Sequence, residues 1–151
     1  MSLKDQLSDE LKTAMKAGEE ARKTTLRSLL AAIKQAEIDQ RGSGSGLDDA
    51  GLLAVIQKEA KSRRESIADA QRAGRADLSA GYEAELQIIE TYLPKQLTRA
   101  ELVVLAQAAI AEAGATDAKQ IGAVMKILSP RTKGQADGKL VNEVVRELLP
   151  K

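Results

Sequence analysis

Leu3, Leu7, Leu11 and Met15 stand four residues apart, with Ala14 beside the last, and that spacing draws one apolar stripe down an α-helix. A helical period recurs along the chain, and no segment alternates apolar and polar residues in the manner of a strand. Ala, Leu, Lys, Glu and Arg dominate, all of them good helix formers. The fold expected is all-α.

Local signals punctuate the stripes. Gly18 breaks the first helix, and Glu19 and Glu20 suit the first turn of a second, where the helix dipole favours negative charge. Its stripe of Leu26, Leu29, Leu30 and Ile33 runs to about Asp39. Gly42-Ser43-Gly44-Ser45-Gly46 then reads as a flexible linker. Asp48 or Asp49 caps a third helix with Leu52, Ile56, Ala60, Arg63/Arg64 and Ile67, stopping near Gly74. A fourth carries Leu78, Tyr82, Leu86, Ile89 and Leu93 before Pro94, whose ring disfavours helix at the preceding residue. Thr98 and Glu101 form a capping box for a fifth helix, which Gly114 ends. A sixth is expected from about Ala118 to Leu128, stopping before Pro130. A seventh, with Leu140, Val141, Val144, Val145, Leu148 and Leu149, ends at Pro150.

Leu93-Pro94 therefore divides a four-helix, bundle-like N-terminal domain (1–93) from a three-helix C-terminal domain (94–151). The second is small enough to be marginal alone, so it is expected to pack on the first or hinge from it.

The missing residue types exclude whole classes of chemistry. The chain's 151 residues include no His and no Cys, which removes Cys/His zinc sites, thiol nucleophiles, imidazole bases and disulfides. No cofactor is implied. Asp5/Asp9 and Glu65/Asp69 pair carboxylates one turn apart, but a di-metal bundle normally adds Glu-x-x-His, so no metal site is assigned. No residue is assigned a catalytic role. Tyr82 and Tyr92 fall on the fourth stripe or at its end and read as packing, and so few aromatics argue against stacking on single strands. The acidic N-terminus and the shortness of the most apolar stretch, 102–111, predict no membrane segment and an intracellular, cytoplasmic protein.

Charge is nearly balanced, 23 Lys and Arg against 22 Asp and Glu, but it is unevenly placed. Residues 1–93 carry a net −2 and residues 94–151 a net +3. Lys126, Arg131, Lys133 and Lys139 gather around the last inter-helix loop, opposed there only by Asp137. Gly134 suits a positive φ after a helix end and Asp137 a helix N-cap, which is a complete structural reading. Lysines and backbone amides at a helix start equally describe an anion site. Lys58, Lys61, Arg63, Arg64, Arg72 and Arg75 make the third helix basic, although Glu59 precedes Arg63 by four residues and Lys61 precedes Glu65 by four, so pairs absorb part of that charge. Lys23, Arg27 and Lys34 share a face of the second helix within reach of Glu19 and Glu20.

Ile121-Gly122-Ala123-Val124-Met125-Lys126, with Lys133-Gly134-Gln135-Ala136-Asp137, Val141-Asn142 and Arg146-Glu147-Leu148-Leu149, resembles the tail domain of the B subunit of tRNA-dependent amidotransferases. Thr25-Leu26-Arg27-Ser28-Leu29, Arg63-Arg64-Glu65-Ser66-Ile67, Ala73-Gly74-Arg75-Ala76-Asp77-Leu78 and Tyr92-Leu93-Pro94-Lys95-Gln96-Leu97 resemble the stand-alone relatives, the YqeY family. The resemblance covers essentially the whole chain. It implies a helical bundle followed by a three-helix domain, and a tRNA-linked accessory role beside a carbon–nitrogen ligase that uses glutamine as amide donor. Candidate RNA-binding residues are then Lys126, Arg131, Lys133, Gly134 and Lys139, with Arg27, Arg63 and Arg64. Where the amidotransferase tail tends to have Asn-Pro, this sequence has Asp137-Gly138, which keeps the cap, loosens the turn and adds negative charge. The expected partners are tRNA and an amidotransferase or other tRNA enzyme, with no membrane. The competing reading is a helical adaptor docking on such an enzyme. Catalysis by this chain alone lacks support, because it has no Ser/Lys amidase arrangement and no nucleotide-binding loop.

Overall fold

The computed structural model describes residues 2–41 and 46–150. Among them are seven α-helices, a short 3-10 turn at Ala118–Gln120 and no strand. The helices are α1 (Leu3–Ala17), α2 (Glu20–Asp39), α3 (Asp49–Arg72), α4 (Ala76–Glu90), α5 (Arg99–Ala113), α6 (Ile121–Thr132) and α7 (Gly138–Leu148). The expected linker at 42–46 lies, apart from Gly46, outside the described residues. The chain divides into two compact units, Met1–Leu93 and Pro94–Lys151.

In the first unit α1 pairs with α2 and α3 with α4, while α2 also packs on both α3 and α4. Leu7, Leu26, Leu29, Ile33, Ile56 and Ile89 are fully buried, so all four helices contribute to one core. Ser2 and Asp5 close a capping box at the start of α1. Gly18 ends that helix at φ 71°, a conformation that costs a glycine little. Asp48 accepts from the Gly51 N–H at 2.8 Å and starts α3.

Two stripe positions depart from expectation. Met15 is 50% exposed and Leu78 41% exposed, whereas Ala14 and Ser79 are the buried residues at those helix ends. A stripe read from sequence continues as long as its spacing does, but burial stops where the facing helix stops.

In the second unit α5, α6 and α7 pack pairwise around Leu102, Val124, Leu128, Val141, Val144 and Val145. Thr98 and Glu101 form the expected capping box, and Gly114 ends α5. The expected stop before Pro130 is corrected, because α6 continues through Pro130 to Thr132. A proline one turn from a helix end forfeits only a single amide donor. The buried Thr132 hydroxyl also donates to the carbonyls of Leu128 (3.2 Å) and Ser129 (3.4 Å), satisfying acceptors in that last turn.

Candidate functional site

The basic loop joins α6 to α7. Gly134 is buried and turns the chain at φ 85°. The N–H groups of Gln135 and Ala136 fold back onto the Thr132 carbonyl at 2.9 and 3.2 Å. Asp137 caps α7 by accepting from the Lys139 N–H at 3.3 Å. Local hydrogen bonds thus hold part of the backbone there.

Lys133 and Lys139 in and after that turn, and Lys126 on α6, are exposed, and no ion pair occupies them among the described residues. Arg131 differs. Its guanidinium lies 2.7 Å from Glu112 and pins α6 to α5. The exposed ammonium groups of Lys133 and Lys139 flank a capped helix start, an arrangement suited to the oxygens of phosphates.

The other three candidates lie in the first unit and are placed differently from one another. Arg27 is exposed on α2, its Nη2 3.9 Å from the Met15 sulfur. Arg64 pairs with Glu90 at 3.0 Å. Arg63 is drawn inward, with a side chain only 16% exposed, and donates to Glu59 on its own helix, Glu85 on α4 and Ser28 on α2. The i,i+4 pair with Glu59 was visible in the spacing; the links to Glu85 and Ser28 were not.

A second polar cluster escaped sequence reasoning. The Tyr92 hydroxyl donates to Glu10, and the Arg22 guanidinium donates to the same Glu10 oxygen at 3.0 Å. Burial and the neighbouring Glu10 carboxylate push the Tyr92 phenol up to about 12. Burial also pushes Glu10 upward, but hydrogen bonds from Tyr92, Gln6 and Arg22 outweigh it and hold the carboxyl below its ordinary value. No local signal announces a contact between residues 82 positions apart.

Among the described residues no three acidic side chains converge in a way that could hold a metal ion, and Asp5 of the Asp5/Asp9 pair is engaged in the α1 cap. A cleft of about 470 Å³ opens between α2 and α3, floored by Ala32, Ala36 and Val55 and edged by Gln35, Asp39 and Lys58. No helix of the described residues is long and apolar enough to cross a membrane.

Comparison with known proteins finds chains of similar sequence. The Eremothecium gossypii protein named Altered inheritance of mitochondria protein 41, mitochondrial, is 42% identical over 87 residues, covering 58% of this chain and 46% of the relative. Its namesake in Saccharomyces cerevisiae (strain YJM789) is 35% identical over 96 residues, covering 64% and 51%. That of Vanderwaltozyma polyspora is 38% identical over 87 residues, covering 58% and 46%. The chain spans about half the length of these curated relatives.

Their names overturn the expectation of a cytoplasmic protein, since each is called mitochondrial. Lack of a long apolar stretch and of cysteine does not distinguish one aqueous compartment from another. The model of Yqey-like proteins matches residues 4–149, from the first turn of α1 past the end of α7, and the chain belongs to the YqeY family.

Proposed function

We propose that this protein is a tRNA-associated accessory protein that meets RNA phosphates through Lys126, Lys133 and Lys139. The observation that carries this reading is the exposure of those three lysines, free of carboxylate partners, two of them flanking a hydrogen-bonded loop and the third on α6. Arg131 adds positive charge to the same region while pinned to Glu112. Resemblance of the second unit to the amidotransferase tail supports RNA as the polyanion. Arg63 and Arg64 serve the first unit's packing, being engaged with carboxylates. Any link to glutamine-dependent amidation runs through a partner enzyme, because the chain's own loop offers cations and no nucleophile–base pair.

The test is a gel shift with total tRNA at rising salt. Binding at low salt that weakens as salt rises is expected. Absence of binding at low salt would remove this reading.

The adaptor reading has its own observation. Val104 on α5 is 64% exposed, and Ala100 and Ala108, one turn to either side, are exposed as well. An apolar helix face of this kind suits docking on a protein such as a tRNA enzyme. A pull-down whose capture of such an enzyme is lost in Val104→Lys supports it.

A further inference from the structure

The first residues of the second unit run beside the basic loop and hydrogen-bond to it. The Gln96 side-chain amide donates to the Gly134 carbonyl at 2.9 Å and to the Pro94 carbonyl at 2.8 Å. The next residue, Leu97, donates its backbone N–H to the Gln135 carbonyl at 2.8 Å. Leu97 also packs against the core of α5–α7, which anchors the segment from the other side.

Gly134 and Gln135 form the turn just past the end of α6, where carbonyls have no helical partner. Residues 94–97 supply donors to both. The Gln96 amide nitrogen, with two hydrogens, bridges the Gly134 carbonyl to that of Pro94, a geometry open to Gln and closed to Glu, which carries no donor when ionised.

We propose that residues 94–97 are a strap that positions the basic loop, with Gln96 as its positioning residue. The strap fixes the peptide planes between Lys133 and Asp137, and so the direction in which Lys133 and the start of α7 present their charge. Displacement of the chain at Pro94 would therefore act on the loop through two hydrogen-bonded carbonyls. The effect on RNA rests on the tRNA reading above; the mechanical role does not.

The test uses the full chain carrying Gln96→Met, which keeps length and shape but removes the donor, and Gln96→Glu, which turns a carboxylate toward two carbonyl oxygens. Hydrogen exchange is followed at the amides of Leu97, Gln135 and Ala136, with α5 amides as an internal reference. Loss of a hydrogen bond of ordinary net strength predicts exchange about threefold to tenfold faster at those three amides and unchanged in α5. Affinity for tRNA should fall by a similar factor with an unchanged salt slope in Gln96→Met, since no charge is removed. Unchanged exchange at Gln135 and Ala136 in both variants overturns the strap. Faster exchange with unaltered affinity, in a protein whose binding depends on Lys133 and Lys139, overturns its role in positioning. If the unaltered protein binds no tRNA, the RNA reading fails alone, and the exchange rates still decide the strap.

Discussion

Arg63 donates through Nε to Glu85 across 2.6 Å and so joins α3 to α4. The same guanidinium reaches Ser28 on α2 at 2.9 Å and Glu59 at 3.3 Å. One half-buried fork ties three helices of the first unit. Removing it leaves two carboxylates facing each other with nothing between them.

Arg63→Ala should therefore cost about 1.5–3 kcal/mol, the range for hydrogen bonds to charged groups. Arg63→Lys should recover only part, because an ammonium cannot reproduce the planar fork. The check is the thermal midpoint of the full chain followed by helical circular dichroism. A midpoint unchanged in the alanine variant would show that the network contributes no stability.

Tyr92 gives a pH signature. Its phenol rises from 10.0 to about 12 in the folded protein, so its stabilising contribution is complete below pH 10.0 and is lost as pH climbs toward about 12. Glu10 is lowered, so its contribution is present above its unfolded value near 4.5 and is lost as pH falls through the folded value. Tyr92→Phe should lower stability by about 1 kcal/mol at neutral pH and flatten its decline between pH 10 and 12. Identical alkaline profiles for the two proteins, measured by urea unfolding, would show that the phenol does not carry that dependence.

The division into two compact units at Leu93 and Pro94 predicts where a protease enters. Lys95 is 85% exposed, just past α4 and before α5, with Glu101 3.8 Å away. Limited trypsin digestion should cut after Lys95 before any site within a helix. A first cut at Arg41 would place the weakest point elsewhere.

Asp137 combines a cap with a charge. Asp137→Ala should cost about 0.5–2 kcal/mol of stability by removing the acceptor at the start of α7. It should also tighten tRNA binding, because a carboxylate beside the loop lysines disappears. Thermal melting and gel shift together check the pair; a stabilised variant or weaker binding would contradict it.

What the sequence disclosed follows the range of the interactions involved. The caps at Asp48, Thr98 and Asp137 and the turns at Gly18 and Gly134 are local, and each was legible from neighbouring residues. So was the salt bridge of Lys23 with Glu20, one turn apart. Helix ends were less legible. Leu78 kept the period yet faces solvent, and Pro130 sits inside a last turn that Thr132 completes. The links of Arg63 to Glu85, Arg131 to Glu112, Tyr92 to Glu10 and Gln96 to Gly134 all cross between elements. Such contacts depend on which faces meet after packing, and spacing along one helix carries no record of that. For the loop, the closeness in sequence of Lys126, Arg131, Lys133 and Lys139 was visible in advance, but the engagement of Arg131 with Glu112 was not.

The central claim is that the loop lysines touch RNA phosphates, and a salt titration of tRNA affinity tests it most directly. Each phosphate contact on duplex-like nucleic acid contributes roughly −0.9 to the slope of log affinity against log salt. The double variant Lys133→Ala, Lys139→Ala should bind more weakly, with a slope flatter by up to about two units and a melting temperature close to that of the unaltered protein. An identical slope, or no binding by the unaltered protein at low salt, would contradict the account and make the α6–α7 loop a structural turn.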